Sequence, residues 1–173
     1  MRKYFLMAIL VLSGPLFGIV ARGQTPAPAP VAVTDALPFD IPYGMSITLE
    51  RAKKVAEAAL AEAKKRNWKM IVAIVSPSGD LVYFEKQDDA QLASIEVALS
   101  KARASAGFRR PTRVFFEAME SGHPYVSTLK GVVAAGGGLP LVENGKLIGA
   151  IGVAGGTGPQ DDVIAKAGAD TVK

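Results

Sequence analysis

Apolar and polar positions change their period several times along this chain, and each change marks an element. Leu49, Ala52, Val55, Ala56, Ala59, Leu60 and Ala63 recur at helical spacing, with Glu50, Arg51, Lys53, Lys54, Glu57 and Lys64 on the other side. This predicts an amphipathic helix with a narrow, alanine-rich packing face, started by Thr48 as cap. Residues 70–76 are apolar throughout, and Pro77-Ser78-Gly79-Asp80 turns the chain into residues 81–86, which predicts a hairpin. Helical spacing returns at Ile95, Ala98, Leu99, Ala102 and Ala106, with Glu96, Lys101 and Arg103 interleaved, so a second alanine-faced helix is expected over 92–107.

Thr112 is placed to cap a short third helix through residue 120, carrying Val114, Phe115, Phe116 and Met119, and residues 121–131 read as a long connection. Residues 132–135 are β-prone and lead into Gly136, Gly137 and Gly138, where no side chain limits the approach of another group. Two apolar runs, 139–143 and 146–154, are joined by Asn144-Gly145, the strongest short-range hairpin signal. Gly155-Gly156-Thr157-Gly158-Pro159 then opens a last helix, with Pro in its first turn and Asp161 and Asp162 near its positive end. Two hairpins, a fifth strand near Val132 and helices before, between and after them describe an α+β domain. Its five-stranded sheet is mainly antiparallel, flanked by helices and covered on both faces because consecutive strands are so apolar.

The N-terminus reads differently. Arg2 and Lys3 precede an uncharged stretch over 4–20, and Ala21-Arg22-Gly23 offers small residues to a signal peptidase, so residues 1–23 read as a secretory signal peptide. An uncleaved anchor is the alternative, since the stretch is near the lower length limit for a span. Residues 24–42 are rich in Pro and Ala, with prolines at 26, 28, 30, 38 and 42, and read as an extended tether. Residues 43–173 are the right size for one domain. This organisation implies a periplasmic or secreted protein with no stable membrane insertion after cleavage.

The formal charge of +4 shrinks to about +1 once Arg2, Lys3 and Arg22 leave with the signal peptide, which removes the basic footprint that nucleic acid requires. The absence of cysteine excludes disulfides and thiolate metal sites. No GxSxG elbow and no HExxH motif occurs, so covalent and metal-assisted hydrolysis have no support.

Taken together, the first helix, Val75-Ser76-Pro77-Ser78-Gly79, Lys101-Ala102 through Phe108, Pro111-Thr112, Gly137-Gly138-Leu139-Pro140-Leu141, Gly149-Ala150-Ile151-Gly152-Val153 and Gln160-Asp161 form one pattern. In these stretches, from Ser46 to about Asp170, the chain resembles the GlcG/HbpS family of small α+β domains. The resemblance implies a profilin-like sheet and compact homo-oligomers. It links members to haem binding, to modules fused to corrinoid adenosyltransferases, and to operons for small hydroxy acids.

The candidate chemistry gathers between the second helix and the glycine strand. His123, the sole histidine, follows Gly122 in the long connection, where an imidazole at a pocket rim can serve as an axial ligand to haem iron. Tyr125, Tyr43, Tyr83, Met119 and Thr112 are the substitute donors. Arg109, Arg110 and Arg113 flank Pro111-Thr112 beside Phe108, Phe115 and Phe116, a cationic rim suited to the carboxylates of haem or of a small acid. Gly137 and Gly138 let a flat ligand approach bare backbone, or simply let the strand bend. Asp161 and Asp162 repel an anion from the last helix, so no phosphate site is expected there. The leading expectation is therefore an exported haem-binding and sequestering protein, with an enzyme or sensor for a small carboxylic or hydroxy acid, or a structural oligomer, as alternatives.

Overall fold

A computed structural model describes residue 37 and residues 39–172. The expected signal peptide, 1–23, lies outside the described residues, as do 24–36 and 38 of the expected tether.

Helix α1 (Leu49–Lys65) starts where Thr48 Oγ1 accepts a hydrogen bond from Arg51 N–H at 3.4 Å, and it buries the expected stripe from Ala52 to Ala63. Strands β1 (Ile71–Val75) and β2 (Leu81–Lys86) form the first hairpin, followed by α2 (Ser94–Phe108) and α3 (Arg113–Glu120). The long connection contains one 3-10 turn, Pro124–Thr128. Strands β3 (Gly138–Glu143) and β4 (Lys146–Ala154) form the second hairpin, and α4 (Gly158–Ala169) closes the fold. Asn144 and Gly145 have φ of 48° and 72°, as a two-residue turn between right-twisted strands requires.

The fold is α+β, and every neighbouring pair in the sheet β2-β1-β4-β3 is antiparallel. Among the described residues the sheet has four strands, not the five expected, because residues 132–135 do not pair. Gly137, at φ 108°, bends the chain, and pairing with β4 begins only at Gly138. The carbonyl of Ala135 is instead taken by a side chain, the Thr112 hydroxyl.

Helices cover both faces of the sheet. Val72, Ile74, Ile151 and Val153 meet α1 and α4, while Ile71, Ala73, Val75, Ala150 and Ala154 meet α2. From Ala150 to Ala154 the alternation along β4 sorts large side chains to one face and small ones to the other. Ala73, Gly152 and Gly138 stand directly opposite one another on β1, β4 and β3. Beneath Ala98 and Ala102 this row forms a trough that lets the α2 backbone lie close to the sheet.

The chain around the start of the domain is also tied down. Pro42 accepts a hydrogen bond from Leu147 N–H at 2.8 Å, and Gly44 and Ile47 donate to Leu147 and Ile148 carbonyls, extending the ladder where β1 ends. No helix among the described residues is long and apolar enough to cross a membrane.

Candidate functional site

The glycine segment ahead of β3 carries few side chains of its own, and neighbouring elements fix its backbone. Thr112, fully buried, donates from its N–H to Gly138 O at 3.0 Å. Its hydroxyl donates to Ala135 O at 2.6 Å and accepts from Gly138 N–H at 2.9 Å. The expected capping bond at the start of α3 is absent, because the glycine segment engages that hydroxyl. From the other side, Asp162 Oδ1 accepts from Gly137 N–H at 2.6 Å. Its Oδ2 is buried without a hydrogen-bond partner among the described residues, with Arg113 Nη1 at 3.9 Å.

One further group anchors this junction, and the sequence pattern misplaces it. Lys101, which helical spacing puts among the interleaved charged positions of α2, is 2 % exposed. Its ammonium donates to Asp161 Oδ2 at 2.6 Å and to Val153 O at 3.0 Å. Asp161 is equally buried and accepts from Gly156 N–H at 3.0 Å. Burial pushes its carboxyl above the ordinary carboxylate range, against the opposing pull of Lys101 and of Gly156 N–H. The pair thus joins α2, β4 and α4 across the end of the sheet.

Between α3 and α4 the held glycine segment forms the back wall of a cavity of about 680 Å³. Arg113 and Phe116 line it from α3, residues 134–136 from the wall, and Gly158, Pro159, Asp162, Val163 and Lys166 from α4. Apolar surface dominates, Phe116 is half exposed, and Arg113 and Lys166 stand at the margin paired with Glu117 and Asp170. A second recess of about 230 Å³ borders the same Ala135 and Gly158 and is lined by Ser94, Lys101 and Asp161, among others.

The candidate residues divide into four groups. Arg113 lines the cavity, and Thr112, Gly137 and Gly138 form its buried frame. Arg109 and Arg110 are directed to the incoming chain: Arg109 Nη1 donates to Ile41 O at 3.0 Å, and the Arg110 guanidinium stacks 3.5 Å over the Phe39 ring. Phe108 packs edge-on against Phe115 with ring centroids 5.0 Å apart. His123 and Tyr125 lie exposed around the 3-10 turn, their rings 6.0 Å apart, with His123 Nδ1 3.3 Å from Ser121 Oγ, and neither borders the cavity.

Among the substitute donors, Tyr43 O–H donates to Gly107 O at 3.2 Å and Tyr83 O–H to Glu85 at 2.6 Å. Among the described residues no three His, Cys, Asp or Glu side chains gather to hold a metal ion.

Sequence reasoning missed Pro159, Asp162, Val163 and Lys166 as cavity residues. Their spacing is that of one helix face, and Arg113 and Phe116 are likewise three apart. That spacing is the signal that could have found them, but it does not tell which element the face meets.

Thr112→Val keeps the side-chain shape and leaves Gly138 N–H and Ala135 O without their partner. It is expected to cost about 2 kcal/mol, read from urea midpoints, while Thr112→Ser retains most of the stability; equal losses for both variants would refute the hydrogen-bonding role.

The comparisons with known proteins agree with this architecture. A family model described as "Haem degrading protein HbpS-like" matches residues 47–170. Protein GlcG of Escherichia coli K12 is 33% identical over 107 residues, covering 62% of this chain and 80% of its own length. The crystal structure of a double mutant of Streptomyces reticuli HbpS superposes with a TM-score of 0.69 at 30% identity, covering 86% of this chain and 99% of that one. A crystal structure of a PduOC:haem complex superposes with a TM-score of 0.67 at 26% identity, covering 75% of this chain and 96% of that one. With its fold, its glycine strand and nearly all of its described residues matched in this way, the chain belongs to the HbpS-like family that includes GlcG.

Proposed function

We propose that this chain binds haem or a closely related planar tetrapyrrole in the cavity between α3 and α4, and sequesters it. The observation that carries the reading is the cavity itself: an apolar hollow of about 680 Å³ with Arg113 and Lys166 at its margin. That volume falls within the roughly 300–1,000 Å³ typical of cofactor and ligand sites. A porphyrin needs apolar surface for its faces and cations for its two carboxylates. Phe116, Pro159, Val163 and the bare backbone at 134–136 supply the first, and Arg113 and Lys166 the second. One similar structure is that of a PduOC:haem complex, and the matching family model is described as a haem-degrading protein, which supports the same ligand class here.

Bound haem would bring a redox-active iron to this wall. The chain's own part is to shield the ring from water and hold its carboxylates. The groups that a small-acid site would use are dispersed, since Arg109 and Arg110 engage residues 39 and 41 and His123 faces solvent.

Titration of the purified protein with haemin is expected to shift the Soret band with saturation at one haem per chain. The double variant Arg113→Glu/Lys166→Glu should weaken binding by about tenfold or more, the loss expected for two charge-assisted contacts. An unchanged spectrum at stoichiometric haemin would overturn the proposal, and a band that bleaches with release of iron would assign turnover instead of sequestration. Export through residues 1–23 and assembly into a homo-oligomer belong to the same proposal. The second is supported by Phe116 and Val163, which stay partly exposed at the cavity rim.

A further inference from the structure

We infer that the cavity recognises the porphyrin ring and its carboxylates and is indifferent to the metal at the ring's centre; this rests on the haem reading above. Among the described residues the polar side chains that line it are Arg113, Asp162 and Lys166. Arg113 and Lys166 are cations with no lone pair for iron, and of the two Asp162 oxygens the one without a hydrogen-bond partner is buried out of reach.

Asp162 is occupied by the fold. One carboxylate oxygen holds Gly137 N–H at 2.6 Å, and the other is sealed from solvent beneath the glycine segment. Lys166 is an ammonium held at 2.7 and 2.8 Å by the two oxygens of Asp170, so it has no lone pair to offer. Arg113 is a guanidinium, which donates and never ligates.

Among the described residues no imidazole, thioether or phenol borders the cavity. His123 lies on the exposed turn against Ser121, and the Tyr43 and Tyr83 hydroxyls are engaged by Gly107 and Glu85. Affinity must then come from apolar contact with the ring faces and from the two cations at the margin. Both are the same for haemin, zinc protoporphyrin and the metal-free ring.

The test compares three ligands on the full chain: haemin, zinc protoporphyrin IX and free-base protoporphyrin IX, followed by absorbance and, for the last two, by fluorescence anisotropy. Dissociation constants within about threefold of one another are expected, less than 1 kcal/mol apart. Free-base ligand should displace haemin competitively, and His123→Ala should leave the haemin spectrum unchanged. The dimethyl ester of the free-base ring, which keeps the faces and masks the carboxylates, should bind at least about tenfold more weakly.

Haemin bound tenfold or more tightly than the free-base ring would overturn the inference while leaving haem binding intact. So would a Soret band altered by His123→Ala, which would place that imidazole on iron, from the same chain or from a second copy. An ester that binds as well as the free acid would overturn the carboxylate half. Failure of all three porphyrins to bind would take down the haem reading itself, and this inference with it.

Discussion

Replacing Lys101 with methionine is expected to remove about 3–5 kcal/mol of folding stability, the cost of leaving a buried carboxylate without its cation. The loss is large because nothing else can serve Asp161: both side chains are 3 % exposed, and the only other donor to the carboxylate among the described residues is Gly156 N–H. Val153 O loses a donor at the same time.

The effect depends on pH with a definite sign. Burial raises the Asp161 carboxyl above its ordinary value, so the native state holds a proton there that the unfolded chain has already released. Through that interval this group makes the protein less stable as pH rises, and above it the contribution is constant. Without Lys101 the carboxyl rises further. The deficit of Lys101→Met should accordingly be widest at pH 8 and narrower at pH 5, measured by urea denaturation followed by far-UV circular dichroism. Lys101→Met/Asp161→Leu, which removes both charges, should recover most of the loss. A deficit below about 1 kcal/mol, or one that does not change between the two pH values, would mean that the pair does not carry this energy.

The second large effect is expected at Gly152. A Cβ at this position would overlap the Ala98 carbonyl oxygen and the Ala102 N–H of α2. These are backbone atoms in the middle of a helix, so no rotamer change relieves the clash. Gly152→Ala is therefore expected to cost about 3 kcal/mol or more, at the upper end for an inserted methyl, by lifting α2 from the sheet. Gly107 is the internal comparison: it lies in the last turn of the same helix with open space where its Cβ would stand. Gly107→Ala should be neutral or stabilise by up to about 1 kcal/mol, the helix-propensity difference. Similar thermal midpoints for the two variants would contradict the close packing of α2 on the Ala73, Gly152, Gly138 row.

These two positions show how much of the molecule was legible beforehand. The small residues of α2 and β4 were visible as alanine spacing and a glycine-rich run, and they correctly implied helices lying close to a sheet covered on both faces. Lys101 was visible only as a charge at an interleaved position. Its partner lies 60 residues away, and helical periodicity carries no information about a distant carboxylate. The cavity divided in the same way. Arg113 and the glycine segment were anticipated, whereas Arg109 and Arg110, adjacent in sequence and alike in chemistry, turn to residues 39–43 because Arg109 leaves α2 in the left-handed region at φ 54°.

Local patterns in the chain determined the helices, both hairpins, the Asn144-Gly145 turn and the family, because these depend on periodicity and turn chemistry within short windows. Only the tertiary structure decided that residues 132–135 leave the sheet, that Thr112 and Asp162 clamp the glycine backbone, and that the face of α4 carrying Pro159, Asp162, Val163 and Lys166 meets Arg113 and Phe116 across a hollow. Those outcomes turn on which buried backbone groups find partners and which surfaces are brought opposite one another, and both are settled only when elements far apart in the chain have packed.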